Sequence, residues 1–324
     1  MADIQNAALQ QTIEALDAVG KELKKVIRGQ EAVLDLMLTA ILAGGHALLE
    51  GVPGTAKTLS VRTLAMAMSC RAKRVQFTPD LMPSDILGTT VFTQGSNEFH
   101  LHQGPIFTDL LLADEINRAP AKTQSALLEA MSEQHVTIDG RRHLLSPVFT
   151  VFATQNPVEF EGTYPLPEAQ QDRFLLKIPV DYPDQVSERD MLGAIDQGHP
   201  PDQLERSGIS PVLTVEQLAA ARTSLAQVRI EPPILDYLLA LVRATRKHES
   251  IVLGGGPRAS IALLICGKAW ALIHGRDFVT PDDIVRIAEP VLAHRMTLSA
   301  DAEVAGVRKS EVLGQIMDSL EVPR

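Results

Sequence analysis

Cysteine, aromatic residues and surplus positive charge are all scarce in this chain of 324 residues. The two cysteines, Cys70 and Cys266, lie far apart and lack the paired spacing of a zinc site. So low a cysteine content is typical of proteins that stay in a reducing compartment. The formal net charge of −10 at pH 7 disfavours a dedicated nucleic-acid binder, whose contact surface is basic.

The chain also lacks a long apolar run and a recognisable leader. Its first residues, Met1–Gln5, carry no basic segment followed by an apolar one, so no signal peptide is predicted. The most apolar stretch, 36–49, is broken by polar residues and glycines and is too short to cross a bilayer. We therefore expect a cytoplasmic protein without a membrane span.

What is present is the composition of an ordinary globular protein with more than one domain. Hydrophobic residues make up 45% of the chain and charged residues 22%, which is enough to build a full core. The length exceeds that of a typical single domain, so two domains are expected.

Strand and helix patterns alternate through the first half of the chain, after two amphipathic helices at 7–27 and 31–43. The predicted strands are Ala47–Leu49, Arg74–Phe77, Leu110–Ala113, Val148–Ala153 and Phe174–Ile178. The predicted helices are Thr58–Met68, Thr123–Glu133 and a shorter one before Phe174. Such alternation predicts an α/β fold with a mostly parallel, doubly wound sheet.

Two segments interrupt this alternation, and the pattern changes near residue 180. Residues 89–101 and 136–145 are each predicted to form a hairpin, the second with an Asp139-Gly140 turn that suits tight hairpins. A linker-rich passage with Pro183 and 198–201 follows. Helical patterns then occupy 214–227, 231–247, 257–274, 280–294 and 309–320. We expect an all-α second domain from about residue 185.

The segment from Glu50 to Thr58 is close to a phosphate-binding loop. It follows a predicted strand and precedes a predicted helix, which is the context that a Walker A motif requires. Glycines allow the backbone to wrap around phosphates, and the N–H groups of the helix start favour anions. Lys57 would reach the β- and γ-phosphates, and Thr58 would bind Mg²⁺. Ala56 stands where the usual motif has glycine.

Two further strands end in polar residues that suit nucleotide chemistry. Leu110–Ala113 is followed by Asp114, which would hold Mg²⁺, and by Glu115, which would polarise the attacking water. Val148–Ala153 is followed by a polar triplet that ends in Asn156, whose amide can orient water. Taken alone, the first pattern also fits a strand that ends in an acidic turn, and Asn before Pro is also a plain turn signal.

Four stretches together resemble the MoxR family of AAA+ ATPases, within the helix-2-insert group, and the resemblance covers the chain from about residue 20. They are Gly51–Thr58, Ala113–Pro120, Gly162–Gln170 and Asp172–Phe174. The resemblance implies an AAA+ P-loop NTPase αβα core over residues 1–182, an α-helical lid over 186–324, and ATP hydrolysis with Mg²⁺ in a ring, taken as a hexamer. It also implies nucleotide contacts from Gly51, Val52, Pro53, Gly54, Thr55, Ala56, Lys57, Thr58 and Leu59.

The same resemblance implies roles for residues outside the phosphate loop. Val26–Gln30 is similar to the family segment that contacts the base, which points to Ile27 and Gln30. Arg173 matches the arginine finger that enters a neighbouring subunit's site, and Arg258 matches the sensor 2 arginine of the lid. On residue type alone, Arg173 could instead be a surface ion-pair partner, and Arg258 could neutralise acidic groups of the lid. Ala56 resembles what MoxR members carry, and we expect it to be tolerated in a helical first turn.

The resemblance further implies a chaperone-like activity that matures a client complex or inserts metal into it. Such proteins commonly work with a partner that carries a von Willebrand factor A domain. The hairpins would project toward the ring centre, with Phe92, Phe99 and His100 as candidates for the exposed tip.

Two alternatives remain open at this stage. One is a motor subunit of another enzyme, like that of magnesium chelatase or of a nucleic-acid-acting restriction complex; Arg141, Arg142 and His143 on the second hairpin favour it, and the acidic charge disfavours it. The other is a nucleotide-dependent scaffold with little turnover.

Overall fold

The computed structural model describes residues 2–52, 54–93, 98–156, 163–198, 204 and 207–323. The helices in chain order are α1 Ala2–Lys24, α2 Glu31–Leu42, α3 Lys57–Ala67, α4 Pro83–Leu87, α5 Ala121–Glu133, α6 Glu168–Gln171, α7 Gln185–Asp196, α8 Val215–Ser224, α9 Pro232–Thr245, α10 Pro257–Ile273, α11 Pro281–Leu292, α12 Ala300–Val304 and α13 Lys309–Ser319. The strands are β1 Ala47–Glu50, β2 Ala72–Gln76, β3 Gly88–Thr93, β4 Glu98–Gln103, β5 Leu110–Asp114, β6 His135–Ile138, β7 Arg141–Leu144, β8 Thr150–Gln155, β9 Leu176–Pro179, β10 Ile251–Leu253 and β11 Thr297–Leu298.

Five strands form one parallel sheet in the order β2-β5-β8-β1-β9. The central strands are buried almost throughout, which agrees with their continuous apolar sequences. Because all five strands run the same way, their carboxyl ends meet at one edge of the sheet. Ligands bind at that edge in open α/β sheets.

Alternate residues of the strands pack into two separate clusters on the two faces of the sheet. Leu48, Leu111 and Val151 belong to the cluster that includes the inner side of α5. Leu49, Leu112 and Phe152 belong to the larger cluster, which joins α1, α2 and α3 to the helices after residue 207. This period of two produces helix layers on both faces, so the predicted αβα architecture is confirmed.

Both predicted hairpins are present beside the sheet. β3 pairs with β4, and β6 pairs with β7, each in antiparallel register. Asp139 and Gly140 both have positive φ, at 49° and 76°, as a tight two-residue turn requires. Residues 94–97, at the turn of the first hairpin, lie outside the described residues.

The C-terminal region is helical apart from one small pairing of β10 with β11. Its predicted helices are present, but the prediction of a linker after Pro183 is wrong, because that passage contains α7. Asp184 caps this helix by accepting a hydrogen bond from Ser187 N–H, at 2.8 Å. The helix buries none of its own residues, and its apolar side chains Val186, Met191, Leu192 and Ile195 are exposed. The division into residues 1–182 and 186–324 stays a prediction.

Within the described part of the chain, every helix is too short or too polar to cross a bilayer.

Candidate active site

The loop after β1 has the backbone geometry of an anion cradle. A Cβ at Gly51 would stand 2.1 Å from the carbonyl oxygen of Val180, so glycine is required where β9 ends beside it. Gly54 has φ of +85° and opens onto free space. The Thr55 hydroxyl donates a 3.0 Å hydrogen bond to the carbonyl of Val52, which closes the loop. Pro53 lies outside the described residues.

Ala56 occupies the left-handed region, with φ of 59° and ψ of 18°, immediately before α3 begins. The expectation that alanine is tolerated because it sits in a helical first turn is therefore wrong. The usual glycine of this motif is replaced at a position that does need positive φ, at a cost of roughly 1–2 kcal/mol for a residue with a Cβ. The cradle keeps its shape in spite of the alanine.

A cleft of about 420 Å³ opens at the carboxyl edge of the sheet, above this loop. It brings together the predicted phosphate, metal and water residues from three strand ends. Its lining consists of Gly54, Thr55, Ala56, Lys57, Thr58, Leu59, Arg74, Gln76, Asp114, Glu115, Thr154 and Asn156.

Lys57 points into a partly buried part of the cleft, where its ammonium donates to the carbonyl of Gly51. Burial lowers the pKa of Lys57 below its ordinary value, and the nearby carboxylates of Asp114, Glu115 and Glu50 act in the opposite direction. A phosphate in the cleft would add negative charge beside this ammonium and favour its protonated form.

Asp114 and Glu115 are held in place by Thr154, at the end of the next strand. The Thr154 hydroxyl donates to Oδ1 of Asp114 and accepts a 2.8 Å hydrogen bond from the Glu115 N–H. Glu115 has φ of 56°, a strained conformation for a side chain of this size. The strain turns the chain sharply at the strand end, and it is of the kind that clusters at functional sites.

Arg74 and Gln76 also face this cleft, and neither is among the predicted site residues. Arg74 donates to Oδ2 of Asp114 from Nε and Nη2, at 2.9 and 2.7 Å. Gln76 donates from Nε2 to Oε2 of Glu115 at 2.6 Å, and Arg118 donates to the same oxygen at 3.0 Å. The two residues sit at alternate positions of β2, next to β5, with Gln76 opposite Asp114.

A second cavity, of about 640 Å³, adjoins the other side of the loop. Ile27 and Gln30, the residues predicted to contact the base, both line it. Gln30 is fixed by a 2.7 Å hydrogen bond from its Nε2 to the carbonyl of Asp181. Tyr182 and residues of α7 form the opposite wall, and these residues are not among the predicted ones, since that passage is predicted to be a linker.

The two cavities meet at Gly54, Thr55, Ala56 and Leu59, which line both. A larger, more apolar cavity on one side of the loop suits a base, and the charged cleft on the other side suits phosphates. The arrangement therefore has the size and polarity of a nucleotide site.

The oxygens around the cleft fit Mg²⁺. The cation prefers a few hard oxygen ligands and keeps others from water and phosphate. The Thr58 hydroxyl and the Asp114 carboxylate are of this type, and both side chains face the same cleft. Thr58 and Asp114 would hold the ion there, although Oδ2 of Asp114 is also bonded by Arg74.

Arg173 and Arg258 lie away from this cleft. Arg173 precedes β9, whose first residue, Leu176, pairs with Ala47 at the amino end of β1. The phosphate loop follows the carboxyl end of β1, so the length of a four-residue strand, about 13 Å, separates the two edges. Nη1 of Arg173 rests on α5, donating to the carbonyl of Leu128 and the hydroxyl of Ser132.

Arg258 lies at the start of α10, as predicted, on the same side of the molecule as Arg173. Its Nη1 is 3.3 Å from Oδ2 of Asp172, the residue before Arg173. Arg258 therefore pairs with an acidic residue. That residue, Asp172, precedes β9 and does not belong to the helical region in which the alternative placed the partner.

The candidate tip residues of the first hairpin are exposed. Phe99 is 70% exposed and Phe92 45%, and their rings lie 5.1 Å apart across the pair of strands. His100 is also at the surface. The hairpin thus presents an aromatic pair to solvent.

Comparison with known proteins shows that the chain is similar to AAA ATPases. The family model "ATPase family associated with various cellular activities (AAA)" matches residues 46–176, and "AAA lid domain" matches residues 243–316. Chaperone MoxR1 of Mycobacterium tuberculosis (strain H37Rv) is 41% identical over 321 residues, which covers 96% of this chain and 83% of that protein.

Two further relatives match almost end to end. The uncharacterized protein YeaC of Bacillus subtilis (strain 168) is 45% identical over 303 residues, 94% of this chain and 93% of that protein. A crystal structure of a protein provisionally described as an ATPase, from Cytophaga hutchinsonii, superposes with a TM-score of 0.89 at 39% identity. That superposition covers all of this chain and 98% of the other.

Proposed function

Because the chain belongs to the MoxR family of AAA+ ATPases, we propose that it hydrolyses Mg²⁺-bound ATP in a ring of identical subunits to remodel a partner protein complex. One observation carries the proposal: a single loop, Gly54–Ala56, separates a cavity suited to a base from a cleft that holds Lys57, Asp114 and Glu115. We place the protein in the cytoplasm, as its low cysteine content favours.

The predicted residues of the cleft have distinct roles in phosphoryl transfer. The loop N–H groups and Lys57 bind the phosphates, and Leu59 closes the loop against the base cavity. A Mg²⁺ ion held by Thr58 and Asp114 would neutralise charge on the phosphate oxygens. Glu115 takes a proton from the attacking water, and Asn156 orients that water from the neighbouring strand end.

The position of Arg173 supports completion of the site by a second subunit. In its own chain this arginine lies at the amino edge of the sheet, away from the cleft. A guanidinium carries a permanent charge on a planar fork, which suits the charge that develops on the γ-phosphate. Arg173 and Arg258 therefore act together on the nucleotide of a neighbouring subunit, and we take the ring to be a hexamer.

The chaperone role rests on the relatives and on the exposed hairpin. The partner that we propose is a von Willebrand factor A domain protein, together with a client complex that the ring matures, with or without metal insertion. Exposed aromatic side chains are typical of surfaces that bind other proteins. Phe92 and Phe99 are the residues most suited to grip such a client.

ATP turnover by the purified chain and by Arg173→Ala tests the proposal. Specific activity of the parent should rise with protein concentration as rings form. Arg173→Ala should bind a fluorescent ATP analogue normally, while turnover falls by about 10³-fold, the usual worth of such an arginine. Arg243→Ala, an exposed arginine on α9, is the matched control and should behave like the parent.

Two results would contradict the proposal. Turnover by Arg173→Ala at the parental rate would remove Arg173 from the site. Absence of ATP turnover in the parent at every concentration would favour the scaffold alternative.

A further inference from the structure

The carboxylate of Asp172 is shared by two arginines from the C-terminal region. Its Oδ1 accepts a 2.9 Å hydrogen bond from Nε of Arg295, and its Oδ2 lies 3.3 Å from Nη1 of Arg258. Asp172 directly precedes Arg173. One side chain therefore connects the two arginines proposed to serve the neighbouring subunit.

Arg295 also holds the backbone around Arg173. Its Nη2 donates to the carbonyl of Phe174 at 2.8 Å and to that of Asp172 at 3.4 Å, and its Nη1 donates to the carbonyl of Leu175 at 3.1 Å. Nη1 also donates to the carbonyl of Val291, inside α11, which anchors the side chain to the end of the helix that it follows. Every nitrogen of the guanidinium is thus engaged.

Because Arg295 is buried, each of its N–H groups needs an acceptor within the protein. Its side chain is only 5% exposed, and a buried guanidinium is costly unless its N–H groups are satisfied. A lysine could not replace it, because an ammonium has three donors at one point and cannot span five separated oxygens. The adjacent His294 adds a 2.9 Å hydrogen bond from Nε2 to the carbonyl of Phe174.

These contacts concentrate on the four residues from Asp172 to Leu175. We propose that Arg295 is a positioning residue for the neighbouring subunit's reaction: through Asp172 and the adjoining carbonyls it fixes the backbone from which Arg173 projects, and it holds Arg258 beside it. The inference rests on the proposed function, because it requires Arg173 to act in the next subunit. Any movement of the end of α11 would then move Arg173 with it.

Arg295→Met keeps the volume of the side chain and removes its donors. Because its own cleft remains intact, this variant should bind ATP with a KM close to that of the parent, while kcat falls at least tenfold. Arg295→Lys should not restore kcat. Arg222→Met is the matched control, since Arg222 also ties the C-terminal region to the core, through the carbonyls of Ile41, Pro147 and Val148. We expect it to lower the melting temperature while kcat stays within about threefold of the parent.

Mixed rings separate positioning from mere stabilisation. Subunits with Arg295→Met have a working cleft, and subunits with Glu115→Gln have a working Arg173. When the two are mixed, turnover should rise above that of either alone, because Glu115→Gln subunits supply the arginine that the other clefts need. If Arg295 only stabilised its own subunit, its cleft would stay impaired and the mixture would gain nothing.

A mixture of Arg173→Ala with Glu115→Gln subunits is measured in parallel. It distinguishes failure of the positioning role of Arg295 from failure of the proposed function. Recovery there without recovery for Arg295→Met would overturn the positioning role and leave the proposed function standing. Absence of recovery in both mixtures would overturn completion of the site by a neighbour. If Arg295→Met does not fold, Asp172→Asn takes its place in the same mixtures and should show the same recovery.

Discussion

Arg74 donates two hydrogen bonds to a single oxygen of Asp114, the carboxylate that we expect to hold Mg²⁺. The guanidinium therefore compensates the negative charge of Asp114 in the cleft as it stands. A cation that binds Asp114 must compete with that arginine or share the carboxylate with it.

We predict that Arg74→Met lowers the Mg²⁺ concentration needed for half-maximal ATP turnover. The pair is partly exposed, so its loss is worth at most about 1 kcal/mol, or roughly a fivefold shift. The measurement is a Mg²⁺ titration at fixed ATP. Arg71→Met is the control, because Arg71 directly precedes the same strand but pairs with Asp109, just before the opposite end of β5. A higher Mg²⁺ requirement in Arg74→Met would show instead that Arg74 helps to bind phosphate.

Glu115→Gln should bind ATP but fail to hydrolyse it to ADP. The amide cannot accept the proton of the attacking water, and loss of a general base costs roughly 10²–10⁴-fold in rate. Single-turnover measurements with radiolabelled ATP test this directly. The same variant, held in its ATP state, is the one to use for capturing a client. Hydrolysis at the parental rate would remove Glu115 from the role of base.

Ala56→Gly should preserve nucleotide binding and leave the protein as stable as the parent or slightly more so. Glycine relieves the left-handed strain at this position, and its larger entropy in the unfolded chain, about 0.4–1 kcal/mol, offsets part of that gain. Thermal melting measures the difference. Ala220→Gly, the same change on the exposed side of α8, should destabilise by about 1 kcal/mol. If Ala56→Gly lowered the melting temperature as much as Ala220→Gly does, the positive φ of Ala56 would carry no strain.

The free energy of unfolding should fall as the pH drops from 6.5 toward 5, because two histidines are buried without charge. Burial lowers the pKa of His46 to about 4 and that of His294 to about 3. The unfolded chain therefore binds more protons than the folded one in this range, and each histidine contributes a loss of about 2 kcal/mol by pH 5. His274 acts in the opposite direction, since its hydrogen bond to Asp35 raises its pKa.

Denaturant unfolding at pH 5, 6 and 7.5 measures this slope. His46→Gln should reduce it, because the imidazole that accepts from Val151 N–H and contacts the Met131 carbonyl is then absent. His135→Gln, which alters a hydrogen bond at the surface, is the control and should leave the slope unchanged. An unchanged slope in His46→Gln would contradict the assignment.

The parts of this site that follow one another along the chain could be predicted from the sequence. The phosphate loop, Asp114, Glu115 and Asn156 each follow an apolar strand directly, and the structure brings them to one cleft. Arg74 and Gln76 could not be found in this way. They reach the cleft only because β2 pairs with β5 in a register that places Gln76 opposite Asp114. A single sequence carries no signal for that register.

Backbone conformation, flanking turn residues and helix packing account for the remaining differences. The identity of Ala56 is visible in the sequence, but its positive φ depends on how the loop closes onto Val52 and Gly51. Helix α7 lies along the base cavity without burying a residue, and the turn residues that flank it, Pro183 and Gly198, favour a linker. The distance of Arg258 from its own cleft arises from the packing of the C-terminal helices, which periodicity does not describe.

The separation of Arg173 from the cleft, on opposite edges of the sheet, also determines the symmetry of the proposed assembly. A subunit that receives arginines on one surface and provides them from another makes heterologous contacts, in which two different surfaces meet. A two-fold dimer uses the same surface of both subunits, so it would complete the sites only if the cleft and Arg173 lay together on that surface. Heterologous contacts either close by rotation into a ring or continue as an open filament. Ring closure is then what gives every subunit both a donor and an acceptor, and breaking one contact would leave one cleft without its arginine.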